Sequence, residues 1–275
     1  MRPTRLRPIR FLASVSIVAA IAAATAGCQT TQTATDTTAS VALAPINQPE
    51  AAWRRDAEVY GQEYRAEPRK VGPALRYAQA LRATGQRAQA VAVLERLAME
   101  NPNNRIVLGE YGRALAEAGN YEQALEVLGR AHSPDLPDWH VLSAQGAVLD
   151  QMGRHAEAQR YYVTALKIVP DEPSVLSNLG LSYALSKDLP NAESTLRRAA
   201  QHPPVDPRVR QNLALVVGLQ GRFAEAEQIA GADLPPDQAA SNVAYLRKML
   251  ASRGQPQKPA KIQKPTSTAH AGGTG

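Results

Sequence analysis

A single cysteine, Cys28, in a chain of 275 residues excludes any internal disulfide, whatever the redox state of the compartment. Aromatic residues make up only 5% of the sequence, which disfavours a sandwich or barrel core and suits helices packed closely through alanine. The five histidines, at 132, 140, 155, 202 and 270, lack the spacing of a metal site, and no phosphate-binding or dinucleotide-binding glycine loop is present. Two fragments come near to catalytic motifs. Gly180-Leu181-Ser182-Tyr183-Ala184 has the start of a nucleophile elbow without its last glycine, and His155-Ala156-Glu157 is half of a zinc-deaminase signature without its Cys-x-x-C partner. These absences predict a protein that is not an enzyme, holds no cofactor or metal and acts on no small-molecule substrate.

The net charge of +6 is also less than it looks, because it sits at the two ends. Residues 1–27 hold four arginines and no acid, and residues 254–275 hold three lysines and no acid, so the body between them carries about −1. A nearly neutral body has no basic face to follow a phosphate backbone, which argues against nucleic acid as a partner.

The chain opens with Arg2, Arg5, Arg7 and Arg10, followed by an apolar stretch from Phe11 to Ala24 broken only by Ser14 and Ser16. This is the pattern of a cleaved leader, and the stretch is short for a spanning helix, which needs roughly 20 apolar residues. Thr25-Ala26-Gly27-Cys28 then resembles the bacterial lipoprotein signal, with threonine where leucine is usual. The resemblance implies cleavage before Cys28, lipidation of that cysteine, and a membrane anchor; Gln29 in second place implies the outer membrane, with the body facing the periplasm. Residues 28–49 are rich in Thr, Gln and Ala and carry one charge, Asp36, which reads as a flexible tether. A capping helix is expected over 50–70, with Trp53, Val59, Tyr60 and Tyr64 on one face.

Comparing the chain with itself at a shift of 34 residues brings several columns into register. Gly85, Gly119, Gly153 and Gly221 form one, with Lys187 as its exception; Ala90, Ala124, Ala158, Ala192 and Ala226 form another without exception. A third runs Leu94, Leu128, Tyr162, Leu196 and Ala230, and a fourth Ala78, Gly112, Gly146, Gly180 and Ala214. The first glycines are suited to end a helix in a left-handed conformation, and the small residues of the fourth column let paired helices approach closely. The leucine column is expected to fill the layer between successive pairs. Where glycine is replaced, Asp188 can cap the next helix and Pro190 fits its first turn. Trp139, Tyr161 and Tyr162 are expected in the core.

This pattern resembles the tetratricopeptide repeat (TPR). The expected fold is an all-α right-handed solenoid of five repeats over 71–230 (71–104, 105–138, 139–172, 173–206 and 207–230), closed by a helix in 231–252 and followed by a basic tail over 253–275. The resemblance implies a groove lined by the first helix of each pair, where a partner protein would lie. Asn178 and Asn212 share one phase on first helices and are candidates to contact it, as are Arg208 and Arg210.

The segments Asp206–Leu213 (DPRVRQNL), Gly221–Glu227 (GRFAEAE) and Asn242–Arg247 (NVAYLR) carry a narrower resemblance, to the TadD family of tight-adherence (Flp) pilus assembly lipoproteins. It extends from about residue 70 to 252 and includes the leader. It implies an accessory lipoprotein that binds the pilus secretin or another subunit of the secretion machine and helps the secretin assemble or stay in the outer membrane. The alternative is a lipid-anchored scaffold of another envelope complex, in outer-membrane protein assembly or recruitment of cell-wall enzymes.

Overall fold

A computed structural model describes residues 49–253, which form twelve helices and no strand. The leader with Cys28, the stretch to residue 48 and the tail from 254 lie outside the described residues. An N-terminal helix α1 (Glu50–Ala66) is followed by five pairs: α2 (Val71–Ala83) with α3 (Arg87–Glu100), α4 (Arg105–Glu117) with α5 (Tyr121–Arg130), α6 (Trp139–Gln151) with α7 (His155–Ile168), α8 (Pro173–Leu185) with α9 (Leu189–Ala199), and α10 (Pro207–Leu219) with α11 (Phe223–Ala230). The last helix, α12 (Pro236–Arg253), packs on α10 and α11. Among the described residues, no helix is long and apolar enough to cross a membrane.

Each first helix ends in the same way. Gly85, Gly119, Gly153 and Gly221 have φ between 75° and 87°, and Lys187 takes the same left-handed position with φ 68°. The amide of the following residue reaches back to a carbonyl five residues earlier, as from Gln86 to Leu81, Asn120 to Leu115 and Asp188 to Tyr183, closing a Schellman motif. Fourth-repeat geometry is therefore preserved by a strained lysine rather than by an altered turn, while Asp188 caps α9 through the Asn191 amide at 3.3 Å. Four of the five first helices also begin alike. Asn104, Asp138, Glu172 and Asp206, spaced by one repeat, accept hydrogen bonds from the first free amides of α4, α6, α8 and α10. This column of caps is visible in the sequence as recurring polar residues, but its role is settled by the hydrogen bonds.

The third and fourth columns meet inside each pair. A Cβ on Gly112 would come 2.5 Å from Leu128 Cγ, one on Gly146 2.6 Å from Tyr162 Cε1, and one on Gly180 2.6 Å from Leu196 Cγ. Leu128, Tyr162 and Leu196 each enter the notch that the missing side chain leaves in their own pair, and Tyr162 also joins a cluster with Val175 and Leu179 of the next pair, in the layer the column is expected to fill. Tyr162 is buried in the core as expected, with Tyr161 and Trp139 packed against the same cluster. On α1, Trp53 is buried and Tyr64 stacks on Tyr77 at 5.6 Å, but Val59 faces solvent. At 100° per residue Val59 lies some 240° round from Trp53, off the face that Tyr60 and Tyr64 share.

The core is a succession of local clusters rather than one centre, as expected of an array in which each repeat touches only its neighbours. Ion pairs reinforce the joints. At the fourth and fifth repeats, Glu193 on α9 accepts from Arg197, Gln220 and Arg222, the last two at 2.8 and 2.5 Å. Burial alone would raise the Glu193 carboxyl, but the hydrogen bonds from Arg222, Arg197 and Gln220 outweigh it and hold the group at about 2. A lowered carboxylate pKa stabilises the fold above the unfolded value near 4.3, and the contribution is lost as pH falls toward 2. Glu193→Gln should therefore cost about 1–2 kcal/mol at pH 7 after allowing for the half-exposed arginines, with the difference from wild type shrinking between about pH 4.5 and 2. Urea denaturation across that range measures it; a difference constant with pH would remove Glu193 from this role.

Candidate functional site: the inner face of the array

First helices touch first helices across successive pairs, α2 to α4, α4 to α6, α6 to α8 and α8 to α10, whereas the backbones of successive second helices stand apart, α9 and α11 being bridged by the long side chains of Arg197 and Glu225 at 2.6 Å. Helices that stay in contact lie on the inside of a curve and those that separate lie on the outside. The inner face is thus lined by α2, α4, α6, α8 and α10.

Its two halves differ in chemistry. Toward the N-terminus it is ionic. Arg82 on α2 bonds Glu117 through Nε and Nη2 at 2.9 and 2.6 Å and Glu110 through Nη1 at 2.6 Å, and Arg113 also pairs with Glu110. Burial works against the charge on Arg82, but Glu117 and Glu110 overcome it and raise the guanidinium pKa. These charges satisfy one another across the α2–α4 joint.

Toward the C-terminus polar contacts become neutral. Asn178 Nδ2 donates to Ser143 Oγ at 3.2 Å, and Asn212 Nδ2 donates to Ser177 Oγ at 3.0 Å. Each asparagine is thus tied to the preceding first helix by the same bond, one repeat apart. Ser143 and Ser177 were not singled out from sequence; the recurring Ser–Asn offset of 35 residues is the signal that could have found them. Among the described residues, neither asparagine's Oδ1 accepts a hydrogen bond from the protein, so both carbonyls remain available.

The two arginines each pair with an acid of the same chain, Arg208 while its side chain stays 74% exposed. Arg208 pairs with Asp206 at 2.8 Å, and its hydrogen bond, ahead of the opposing effect of burial, lowers the Asp206 carboxyl. Arg210 bonds Asp233, before α12, through Nε at 2.5 Å and through Nη2. Of the four residues expected to meet a partner, the structure places the asparagines together on the inner face and gives each arginine an acid of its own. Cys28 lies outside the described residues.

The two near-catalytic fragments converge on one carboxylate. Asp150, at the end of α6, accepts from Ser182 Oγ at 2.8 Å, Tyr162 Oη at 3.0 Å and His155 Nδ1 at 2.8 Å. Ser182 donates to the carboxylate rather than to an imidazole and has no exposed surface, so it has neither a base nor access to a substrate. The trio joins α6, α7 and α8. No group of His, Cys, Asp and Glu among the described residues could hold a metal.

At one edge, Arg105, Leu136, Pro137, Trp139 and His140 line an open cavity of about 440 Å³. Leu136 there is 63% exposed, and Trp139 stacks on His140 at 3.5 Å.

Two family models described as tetratricopeptide repeat match residues 81–146 and 143–207. The chain folds as a TPR solenoid. Among solved structures it is similar to a chain of the APC/C hetero-tetramer Cut9–Hcn1, at 14% identity and TM-score 0.60, covering 74% of this chain and 41% of that one. It is also similar to the human IFIT1 dimer with PPP-AAAA, at 15% identity and TM-score 0.54, covering 64% and 45%. YrrB, described as a TPR protein with an unusual peptide-binding site, matches at 14% identity and TM-score 0.47 over 69% of this chain and 99% of that one. The chain spans under half the length of the Cut9–Hcn1 and IFIT1 chains, and at these identities the likeness is one of fold. No curated protein matches it in sequence. A TPR solenoid is typically a non-enzymatic scaffold for protein–protein contacts.

Proposed function

We propose that this TPR solenoid is a lipid-anchored scaffold that holds a protein partner on its inner face, as a component of a tight-adherence (Flp) pilus secretion machine. The observation that carries the scaffold reading is the pair of Asn–Ser bonds, which set two open amide carbonyls one repeat apart along the inner face. Support for the anchor comes from the leader and Thr25-Ala26-Gly27-Cys28, and support for the pilus machine from the resemblance of Asp206–Leu213, Gly221–Glu227 and Asn242–Arg247 to the TadD family. In this reading lipidated Cys28 sits in the outer membrane, facing the periplasm, and the segment to residue 49 gives the repeats reach toward the secretin or a neighbouring subunit. Acyl chains contribute about 0.8 kcal/mol per buried methylene, so two or three chains hold a protein stably.

Cys28→Ala should release the protein from the membrane fraction while the repeats remain folded by circular dichroism; full retention would overturn lipidation in favour of an uncleaved helix. Crosslinking from membranes should recover a partner that an Asn178→Ala/Asn212→Ala variant captures about thirtyfold less well, two hydrogen bonds being worth roughly 1 kcal/mol each. Unchanged capture would remove both asparagines from the interface. The pilus assignment requires neighbouring genes for a secretin, a pilus ATPase and a small pilin, and falls without them.

A further inference from the structure

Asn178, Leu181 and Leu185 on α8 stand at intervals of three and seven residues, and Asn212, Leu215 and Leu219 on α10 repeat that spacing one period later. On a helix these intervals fall on one face, and the asparagine bonds to the preceding first helices mark it as the inner one. None of the four leucines belongs to any of the hydrophobic clusters of the core. Leu185 is 42% exposed and the other three are partly exposed. On α6 the matching positions are Ala144, Ala147 and Gln151, with Ala144 packed against the core, so the leucine pattern belongs to α8 and α10 and only the uncharged character continues into the third repeat.

Unpaired charge is missing from this face. All thirteen residues of α8 are uncharged. The two arginines of α10 are paired with Asp206 and Asp233, and Asp150 on α6 is closed in by Ser182, Tyr162 and His155. A partner side chain bearing a charge would lose its water here and find no free counter-ion, whereas an aliphatic one would be covered on a surface that the protein's own core leaves uncovered. The open carbonyls of Asn178 and Asn212 can accept N–H groups from a backbone, and an extended segment has such groups free while a helix has used its own.

From these observations we infer that the inner face of the third to fifth repeats binds an uncharged, extended peptide segment rich in leucine, isoleucine or valine, supplied by a separate partner protein. The inference rests on the reading of the inner face as the partner groove. It adds that recognition is aliphatic, confined to the C-terminal half, and selects against charge.

The test uses the full-length chain to select from a displayed library of random peptides, with synthetic peptides of the resulting consensus as the probe. The consensus should be enriched in Leu, Ile and Val and depleted in Asp, Glu, Lys and Arg. Leu181→Ser/Leu215→Ser should weaken its binding by at least about tenfold with the melting temperature unchanged, since neither leucine belongs to the core. Asn178→Ala/Asn212→Ala should weaken it as well. A charged consensus whose binding is lost in the asparagine variant would overturn this inference and leave the groove standing as a partner site. Binding indifferent to both variants, or no binder at all, would overturn both. If deleting residues 29–48 strengthens binding by about tenfold or more, the occupant is the chain's own charge-free stretch from Thr37 to Pro49, and a separate partner is ruled out. Self-association abolished by the leucine variant would identify a second copy instead, with the same consequence.

Discussion

Asp150→Ala should destabilise the solenoid by about 3 kcal/mol, the largest loss expected from any single polar residue here. The carboxylate is the shared acceptor for hydroxyls on α7 and α8 and for an imidazole at the start of α7. Removing it leaves Ser182, with no exposed surface, and Tyr162, 1% exposed, with donors and no acceptor. An unsatisfied buried hydroxyl costs about 1–3 kcal/mol, and relief from burying the carboxylate offsets part of the sum. Asp150→Asn, which keeps one carbonyl but turns a donor toward a donor, should lose less, and Ser182→Ala about 1 kcal/mol. Because the trio spans the third and fourth repeats, the urea unfolding curve of Asp150→Ala should also broaden or split as the two ends of the array uncouple. A loss below about 1 kcal/mol, with one sharp transition, would show that the carboxylate contributes no more than a surface residue.

Gly146→Ala should lower stability by about 1–2 kcal/mol even though alanine is the better helix former by roughly 1 kcal/mol. The added Cβ would stand 2.6 and 2.8 Å from two ring atoms of Tyr162. That ring cannot turn away, being buried and held through its hydroxyl by Asp150. For an array of this size the melting temperature should fall by about 3–6 °C, and Gly146→Val should fall further. Alanine already occupies this column at Ala78 and Ala214, and at Ala214 the residue sixteen positions on is Ala230, which needs no notch. An unchanged melting temperature for Gly146→Ala would mean that α6 and α7 can separate freely, contrary to the close fit of the pair.

Much of the fold was legible in the sequence because it repeats. A column of glycines at one spacing marks where helices end, because glycine alone takes the left-handed conformation without strain, and the exception, Lys187, keeps the conformation that the column predicts. Asn178 and Asn212 could likewise be picked out, since a shared phase on two helices means a shared face. The matching leucines, Leu181 and Leu185 with Leu215 and Leu219, were equally visible as letters, but apolar residues on a helix are ordinarily assigned to the core. Only their absence from every core cluster distinguishes them. The acids beside Arg208 and Arg210 differ in how far they could be read: Asp206 stands two residues before Arg208 and is visible in the sequence, whereas Asp233 reaches Arg210 from twenty-three residues away.

By itself the sequence determined the period, the all-helical class, the helix ends and which residues of each helix share a face. These follow from rules that act within a few residues: a left-handed glycine, a capping side chain, and a turn of 100° per residue. Tertiary structure alone decided which faces meet. It set Leu128, Tyr162 and Leu196 into the notches at Gly112, Gly146 and Gly180, drew Ser182, Tyr162 and His155 onto Asp150, and left four leucines of α8 and α10 outside the core. The rotation of one helix against another is set by the volumes that must interlock between residues sixteen or more positions apart, and a periodic sequence offers several such pairings of nearly equal chemistry.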